Sequence, residues 1–429
     1  MTHAPRALTG LAVALVSLVA CAPLSAPPAS PTATVLATLG TPSPTATEGV
    51  ATTAPRTPTP SPAPTLASPS PAPTVAAPTP TPCVALVLGG MSLEQRVGQL
   101  FMVGLPNDHL GAAEIAAIES AHLGSVWLTG NTAAGARAIA VETQAVQALT
   151  SPANTANVKF LIGVNQEGGL IQQLKGPGFS TVPSAMAQSE LAPDVLRARA
   201  AAWGRELVAA GVNLNFAPVL DVVPPGTDEM NEPIGSLGRG YGNDPVTVAV
   251  HGLAFLEGMQ DAGVVTTAKH FPGLGRVVGN TDFTAEVIDS VTTIDDPYLT
   301  PFIDAIHADV PFIMIALASY QNIDAGRIAA FSPIVLRDLL RTRLHFNGVI
   351  MSDDLGATVA VALIPPGDRA VMFIAAGGDI IVTSTGTARA MAAALVERAR
   401  SDESFRTRVD DAARRVLAAK LRSGLLPCA

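Results

Sequence analysis

Short apolar runs alternate with stretches of helical periodicity along most of the chain. Eight of these runs have the length and apolar content of buried strands, and they cover residues 100–105, 125–129, 160–164, 213–219, 264–268, 312–316, 348–351 and 379–383. Amphipathic stretches between or after them cover residues 112–121, 196–210, 245–262, 333–344, 369–376 and 404–421. A capping box, in which Ser92 is followed three residues later by Gln95, predicts the start of an earlier short helix.

This strict alternation of strand and helix predicts a parallel sheet, and eight repeats predict a (β/α)8 barrel of the TIM type. An open, doubly wound sheet is the alternative. Polar residues follow most of the strands, which favours the closed barrel because its functional side chains come from the C-terminal ends of strands. We expect residues 83–429 to form this α/β barrel as a single catalytic domain.

The first 82 residues have a different character. Residues 1–21 contain Arg6, an apolar stretch and the ending Leu18-Val19-Ala20-Cys21, which is typical of a secretory signal. The ending resembles a bacterial lipobox with Cys21 as the lipidated residue; an ordinary signal peptide with an incidental cysteine is the alternative. Residues 22–82 hold 17 of the 36 prolines and only two charged residues, so we expect a disordered tether rich in Pro, Thr, Ser and Ala.

These features predict an extracytoplasmic protein that contacts the membrane only through an N-terminal lipid anchor. The net charge of −9 and the lack of a basic stripe argue against nucleic acid as a partner. Cys83 and Cys428 bracket the predicted barrel, and in an exported protein they either form a disulfide or remain two free thiols. Their spacing does not suggest a zinc site. We expect the protein to act as a monomer.

Acidic, basic and amide side chains follow several of the predicted strands. Asp353 and Asp354 come directly after the seventh strand, where an acid serves either in catalysis or as the cap of the next helix. The other candidates are Asn165, Glu167, Asp221, Arg239, Lys269, His270 and Asp282. In a barrel these positions share one rim, where they suit a polyhydroxylated or anionic substrate. Arg239 lies among glycines, so we expect it on a flexible loop.

Several short motifs resemble glycoside hydrolase family 3, and in particular its single-barrel β-N-acetylhexosaminidase branch. The resemblance covers nearly all of residues 91–426. It rests on Gly98-Gln99-Leu100-Phe101, Gln166-Glu167-Gly168-Gly169, Ala217-Pro218-Val219-Leu220-Asp221, Lys269-His270-Phe271-Pro272-Gly273 and a signature from Leu339-Leu340-Arg341 through Gly348 to Ser352-Asp353. It implies a retaining mechanism in which Asp353 is the nucleophile. It also implies that Arg239, Lys269 and His270 bind the sugar and that no metal or organic cofactor is needed.

The loop that carries the acid/base departs from the pattern of this branch. The branch has an Asp-Ser-His sequence whose histidine serves as the acid/base, whereas the ungapped counterpart here is Asn280-Thr281-Asp282. Three interpretations remain open: Asp282 is the acid/base, a rebuilt loop brings in Arg276 or another residue, or acid catalysis is lost. The other departures are Asn165, Leu170 and Leu317, which stand where the pattern has Asp, Arg and His.

The resemblance predicts a retaining glycosidase that releases terminal β-linked N-acetylglucosamine from the non-reducing end of cell-wall or chitin-type oligosaccharides. Two alternatives remain, namely a catalytically impaired carbohydrate-binding lipoprotein and a family 3 glycosidase of different sugar specificity. Family 3 β-glucosidases usually take their acid/base from a second domain, so a single barrel favours the hexosaminidase.

Overall fold

Eight parallel strands form a ring at the centre of the domain. The computed structural model describes residues 81–105 and 109–428. The strands are β1 (Phe101–Leu105), β2 (Ser125–Leu128), β3 (Leu161–Val164), β4 (Leu214–Asn215), β5 (Val265–Phe271), β6 (Phe312–Ile315), β7 (Val349–Ser352) and β8 (Ile381–Ser384). Neighbours are hydrogen-bonded in the order β7-β6-β5-β4-β3-β2-β1-β8. A bridge between Met351 and Ile380 joins the two ends of this order, and Ser352 N–H donates to the Ile380 carbonyl at 2.9 Å. The predicted barrel is confirmed.

Apolar side chains fill the barrel and also cover its outside. One cluster lies within the ring and includes Met102, Leu161, Leu214, Phe312, Met314, Val349 and Met351. A larger cluster lies between the ring and the helices and includes Val103, Ile162, Ile313 and Ile350. Successive residues of one strand therefore belong to different clusters. Because both faces of each strand are buried, the strands read as unbroken apolar runs in the sequence.

Helices surround the ring. They are α1 (Pro82–Gly90), α2 (Leu93–Gly98), α3 (Ala112–Ser120), α4 (Ala136–Gln147), α5 (Pro152–Thr155), α6 (Ala185–Gln188), α7 (Pro193–Ala209), α8 (Pro245–Asp261), α9 (Thr300–His307), α10 (Gln321–Asp324), α11 (Pro366–Ala376), α12 (Thr385–Ser401) and α13 (Glu403–Arg422). A π-helix covers Ile334–Arg343, and 3₁₀ turns cover Asp228–Met230, Gly235–Leu237, Pro297–Leu299, Ala329–Phe331 and Val359–Val361. None of the helices in the described ranges is both long and apolar enough to cross a membrane.

Capping side chains fix where several helices begin. The predicted capping box of α2 is confirmed: Gln95 N–H donates to Ser92 Oγ, and Ser92 N–H donates to Gln95 Oε1, both at 3.1 Å. Asp244 caps α8 by accepting from the backbone N–H groups two and three residues later. Asp402 caps α13 in the same way. These bonds satisfy amide groups that have no partner within the first turn of a helix.

The structure differs from the sequence-based expectation in several elements, and helices α4, α9 and α12 were not among the predicted stretches. β4 is shorter than the predicted run 213–219 and ends at Asn215. Phe216 N–H still donates to the Val164 carbonyl, but Pro218 has no N–H to donate, and an isolated bridge between Val219 and Lys269 follows. The predicted helix 333–344 is a π-helix, in which Leu344 N–H bonds to the Leu339 carbonyl. Helix α1 was not predicted, since its sequence follows the proline-rich segment directly.

The two ends of the described domain are joined covalently. Cys83 in α1 and Cys428 form a disulfide, with their Cα atoms 6.0 Å apart. Val84 and Val87 of α1 pack in one small apolar cluster with Leu417 of α13 and with Leu426. The signal with Cys21 and residues 22–80 of the predicted tether lie outside the described residues.

Candidate active site

A cavity of about 510 Å³ opens at the C-terminal ends of the strands. Its lining includes the polar residues Asn165, Gln173, Arg239, Lys269, His270, Asp282, Asp353 and Asp354 and the apolar residues Trp127, Leu170, Phe216, Phe283 and Met314. Two larger grooves, of about 760 and 580 Å³, are lined by other residues, among them Arg389 and Arg415. Since the polar residues that follow the strands converge only on the 510 Å³ cavity, we place the candidate site there.

Glu167 is the centre of a buried ion network beneath this cavity. Its carboxylate accepts two hydrogen bonds from Arg239, from Nε and Nη2 at 2.8 Å each, and its Oε1 lies 2.6 Å from Lys269 Nζ. Burial alone would raise the pKa of Glu167, but the positive charges of Arg239 and then Lys269 outweigh it and lower the pKa to about 2. The Glu167 charge therefore holds both cations in place at the wall of the cavity.

The structure places Glu167 and Arg239 differently from the expectation. Glu167 belongs to a short antiparallel ribbon, in which Gln166–Gly168 pairs with Ile171–Gln172, and this ribbon folds the carboxylate away from the cavity lining. Arg239 is not on a free loop, because Glu167 binds it bidentately and its Nη1 donates to the Pro233 carbonyl at 2.8 Å. Glu167 thus lies behind Arg239 and Lys269, which line the cavity.

Lys269 also fixes the orientation of Asn165. Its Nζ donates to Asn165 Oδ1 at 2.8 Å. An ammonium group can only donate hydrogen bonds, so the amide oxygen of Asn165 faces Lys269 and the amide Nδ2 is left to donate. Burial lowers the pKa of Lys269, and the charge of Glu167 opposes that effect. Together Lys269 and Asn165 present hydrogen-bond donors to one corner of the cavity.

Asp221 orients His270 from below. Asp221 is fully buried, and its Oδ2 lies 2.8 Å from His270 Nδ1. Its Oδ1 accepts from Leu274 N–H at 2.7 Å and from His270 N–H at 3.2 Å. A carboxylate can only accept, so Nδ1 carries the proton and Nε2 is left for a ligand. Asp221, which we expected to contact the substrate, lies behind His270 and is not in the cavity lining.

Asp353 and Asp354 follow β7, as the sequence predicted. The Asp353 N–H donates to the Ile315 carbonyl of β6 at 3.1 Å, which continues the sheet to this residue. Asp353 Oδ1 accepts from the Asp354 N–H at 2.9 Å, so the carboxylate is held by the backbone beside it. Both acids are half-buried and line the cavity. Burial and, to a smaller degree, the Asp353 charge raise the pKa of Asp354 to about 6, although Asp354 Oδ1 accepts from Gly356 N–H at 2.7 Å.

Asp282 lies at the cavity mouth on the loop after β5. It is exposed as a residue, yet its carboxyl is desolvated enough by the cavity wall to raise its pKa, and the Asp353 charge adds to that effect. The Asp282 carbonyl accepts from Val359 N–H at 3.3 Å, and the Thr281 carbonyl accepts from Ala360 N–H at 3.1 Å. These two bonds tie the loop of Asp282 to the loop that follows Asp353.

Arg276, the other candidate in this loop, is engaged elsewhere. Its guanidinium forms an ion pair with Asp296, donates to Thr292 Oγ1 at 3.0 Å and stacks on Tyr298, 3.9 Å from the ring centre. It lines a separate cavity of about 260 Å³. Leu317, which stands where the family pattern has a histidine, is buried in the core. Neither residue lies in the lining of the candidate site.

Sequence reasoning missed the apolar part of the lining. Trp127 of β2 and Phe216 pack edge to face, with ring centres 5.7 Å apart, and both line the cavity. Trp127 lies inside the predicted strand 125–129, near its C-terminal end, which is the signal that could have found it. Within residues 81–105 and 109–428, no group of three or more His, Cys, Asp or Glu side chains is placed to hold a metal ion.

Comparisons with known proteins agree with this architecture. The family model described as Glycosyl hydrolase family 3 N terminal domain matches residues 92–419. A protein named Beta-hexosaminidase from Idiomarina loihiensis is 36% identical over 259 residues, which cover 57% of this chain and 74% of the relative. A Beta-hexosaminidase from Methylococcus capsulatus is 35% identical over 243 residues, which cover 55% of this chain and 70% of the relative.

Two solved structures have the same barrel. The crystal structure of a β-N-acetylhexosaminidase from Beutenbergia cavernae superposes with a TM-score of 0.76 at 47% identity, covering 77% of this chain and 98% of that one. A glycoside hydrolase family 3 β-N-acetylglucosaminidase from Paenibacillus superposes with a TM-score of 0.70 at 30% identity, covering 78% of this chain and 63% of that one. The chain described here therefore belongs to glycoside hydrolase family 3 and is a glycosidase.

Proposed function

We propose that the protein is a retaining β-N-acetylhexosaminidase that releases N-acetylglucosamine from the non-reducing end of β-linked oligosaccharides. The observation that carries this proposal is the position of Asp353, whose carboxylate lines the cavity at the end of β7 and is held by the Asp354 N–H. Retaining hydrolysis needs a carboxylate that attacks the anomeric carbon and, close by, a proton donor for the leaving oxygen. Named relatives with β-hexosaminidase and β-N-acetylglucosaminidase activity support the choice of sugar.

The polar side chains around Asp353 suit the binding of a neutral, hydroxyl-rich sugar ring. Arg239, Lys269 and His270 line the cavity, and their positions are set from below by Glu167 and Asp221. Arg239, Lys269 and Asn165 Nδ2 can donate to sugar oxygens, and His270 Nε2 can accept from a sugar hydroxyl. Donors held in advance by buried partners lose little freedom when the sugar binds. The substrate-binding set is therefore rigid before the ligand arrives.

Asp282 is the acid/base in this proposal. Its carboxyl lines the same cavity as Asp353, its backbone is bonded to the loop after Asp353, and its pKa is raised by desolvation. A general acid must hold its proton at the working pH, which a raised pKa favours. In the first step Asp353 Oδ bonds to the anomeric carbon while Asp282 protonates the departing oxygen. In the second step Asp282 takes a proton from water, whose oxygen displaces Asp353.

Covalent trapping tests the proposal directly. A 5-fluoro N-acetylglucosaminyl fluoride slows both steps while leaving the acetamido group intact, so the glycosyl-enzyme should accumulate. Peptide mass spectrometry is expected to find the sugar on Asp353 in the wild type and no label in Asp353→Asn. The exposed Asp338→Asn variant serves as the control and should label like the wild type. Label on another residue, or rapid turnover by Asp353→Asn, would contradict the role of Asp353.

A carbohydrate-binding protein without turnover is the second candidate. The observation that favours it is the exposed aspartate at the position where the family pattern has a histidine. Calorimetric titration with N-acetylglucosamine, run beside hydrolysis of a chromogenic N-acetylglucosaminide, separates the two candidates. Binding with no hydrolysis by the wild type would support this candidate over the enzyme.

We further propose that the natural substrates are cell-wall or chitin-type fragments and that Cys21 anchors the protein to the membrane by lipid. The support is the lipobox-like ending and the proline-rich segment that follows it. Cys21→Ser is expected to move the protein from the membrane fraction to the soluble fraction of the extracytoplasmic space. Equal membrane association of the variant and the wild type would contradict the anchor.

A further inference from the structure

Two large apolar side chains at the mouth of the catalytic cavity lie mainly in solvent. Phe283 is 79% exposed and Leu170 is 69% exposed, yet both line the cavity that holds Asp353. Exposed apolar surface at the edge of a binding cavity indicates that part of a ligand packs against it. No role in the steps above uses either residue.

The loop geometry holds Phe283 in place. Phe283 N–H donates to the Asn280 carbonyl at 3.0 Å, and Asp282 N–H donates to Asn280 Oδ1 at 3.0 Å, so residues 280–283 form a tight turn. The bonds from Val359 and Ala360 to this turn fasten it to the neighbouring loop. The backbone of this anchored turn therefore loses little freedom when the ring of Phe283 packs against a ligand.

Phe283 follows Asp282 directly in the chain, so the position of Asp282 determines which part of the substrate lies beside Phe283. A general acid must lie within hydrogen-bond reach of the oxygen that it protonates, which is the oxygen of the leaving group. The polar side chains that suit the first sugar are Arg239, Lys269 and His270, which lie deeper in the barrel and are buried or half-buried. The apolar rim is therefore left for the group on the other side of the bond that breaks.

We propose that Phe283 is a specificity-determining residue that packs against the second sugar ring of the substrate, with Leu170 on the same rim. This inference rests on the proposed function. A β-linked pyranose with equatorial hydroxyls presents an apolar C–H face, and an aromatic side chain supplies a large rigid surface for such a face. The enzyme then distinguishes substrates by their leaving group as well as by the sugar that it releases.

The experiment compares two leaving groups that both need protonation by an acid but differ in what they offer to this rim. We would measure kcat/KM for N,N′-diacetylchitobiose, which leaves a sugar, and for methyl N-acetylglucosaminide, which leaves methanol. The enzymes are the wild type, Phe283→Ala, Phe283→Trp and Leu363→Ala. Leu363 is 95% exposed and does not line the cavity, so Leu363→Ala is the matched control for loss of an exposed apolar side chain.

Phe283→Ala is expected to lower the ratio of kcat/KM for chitobiose to kcat/KM for the other substrate by about threefold to tenfold, the rate equivalent of one aromatic contact. Phe283→Trp should keep the ratio of the wild type, and so should Leu363→Ala. An equal loss on both substrates, or no loss on chitobiose, would overturn the role of Phe283. A selective loss on a hexyl N-acetylglucosaminide instead of chitobiose would show an alkyl site and overturn the sugar assignment. Failure of the wild type to cleave either substrate would refute the proposed function itself.

Discussion

Glu167 Oε1 lies 2.6 Å from Lys269 Nζ, and the two side chains are 5% and 2% exposed. A lysine this deeply buried is stable as a cation only if an acid compensates its charge. The charge of Arg239 is compensated by the same carboxylate. One acid that never reaches the cavity surface therefore determines where two of its cations lie.

Glu167→Gln should destabilise the fold strongly, by about 3 to 5 kcal/mol, because it leaves two buried cations without a counter-charge. Urea unfolding at neutral pH measures this loss. Glu257→Gln is the control, since Glu257 pairs with Arg197 on the surface, where the side chains are 40% and 45% exposed, and its loss should cost less than about 1 kcal/mol. Equal effects of the two substitutions would show that the buried network contributes no more than a surface pair.

Asp282→Asn should remove the alkaline limb of the pH–rate profile for chitobiose and lower kcat/KM by roughly 10²- to 10⁴-fold. The acid must be protonated to assist the leaving sugar, so activity falls as pH rises through its pKa. Desolvation and the Asp353 charge raise that pKa, which moves the limb to higher pH than an ordinary aspartate would give. Azide should partly restore turnover of an activated aryl glycoside by Asp282→Ala. An alkaline limb that persists unchanged in Asp282→Asn would assign the proton to another group.

Asp354→Asn should stabilise the protein at pH 8 by up to about 3 kcal/mol and have little effect near pH 4. The folded state raises the pKa of Asp354 from 3.8 to about 6, so folding favours the protonated form. That contribution is fully present below pH 4 and is lost as pH rises through about 6. An amide keeps the acceptor for Gly356 N–H without the charge. Thermal unfolding of both proteins across this pH range would reveal the difference, and a constant difference would rule out titration of Asp354 as its cause.

Reduction of the disulfide between Cys83 and Cys428 should lower the free energy of unfolding by about 2 to 5 kcal/mol, because the bond closes a loop with a sequence separation of 345 residues. Calorimetry with and without a thiol reductant measures the effect. The Cys83→Ser/Cys428→Ser variant should unfold like the reduced protein and be insensitive to reductant. If reductant also leaves the free energy of unfolding of the wild type unchanged, the bond adds nothing to stability.

The barrel could be predicted from the sequence because its strands are buried on both faces and therefore read as apolar runs. Asp353, Lys269 and His270 were identified for the same reason, since each follows such a run directly. β4 was overestimated because the apolar residues 216–219 continue past Asn215, where the regular strand ends. These residues are buried in the core and keep single backbone hydrogen bonds to the neighbouring strands.

The sequence could not show which polar residues line the cavity and which lie behind them. Glu167 and Arg239 are 72 positions apart, and nothing local in either segment shows that they form a bidentate pair. Asp221 follows an apolar run just as Asp353 does, yet only Asp353 lines the cavity. Whether an acid after a strand meets solvent or a neighbouring backbone amide depends on the loops above it, and loop conformation is the part of the fold least visible in sequence.

Two main-chain hydrogen bonds, from Val359 and Ala360 to the turn of Asp282, join the loops of the proposed acid and the proposed nucleophile. Because backbone atoms make this connection, it does not depend on which side chain stands at position 282. Asp282→His or Asp282→Glu would keep the same anchor and differ only in reach and in proton affinity. The fold thus fixes the backbone position of the proton donor, so chemically different residues can serve there without a change in the surrounding loops.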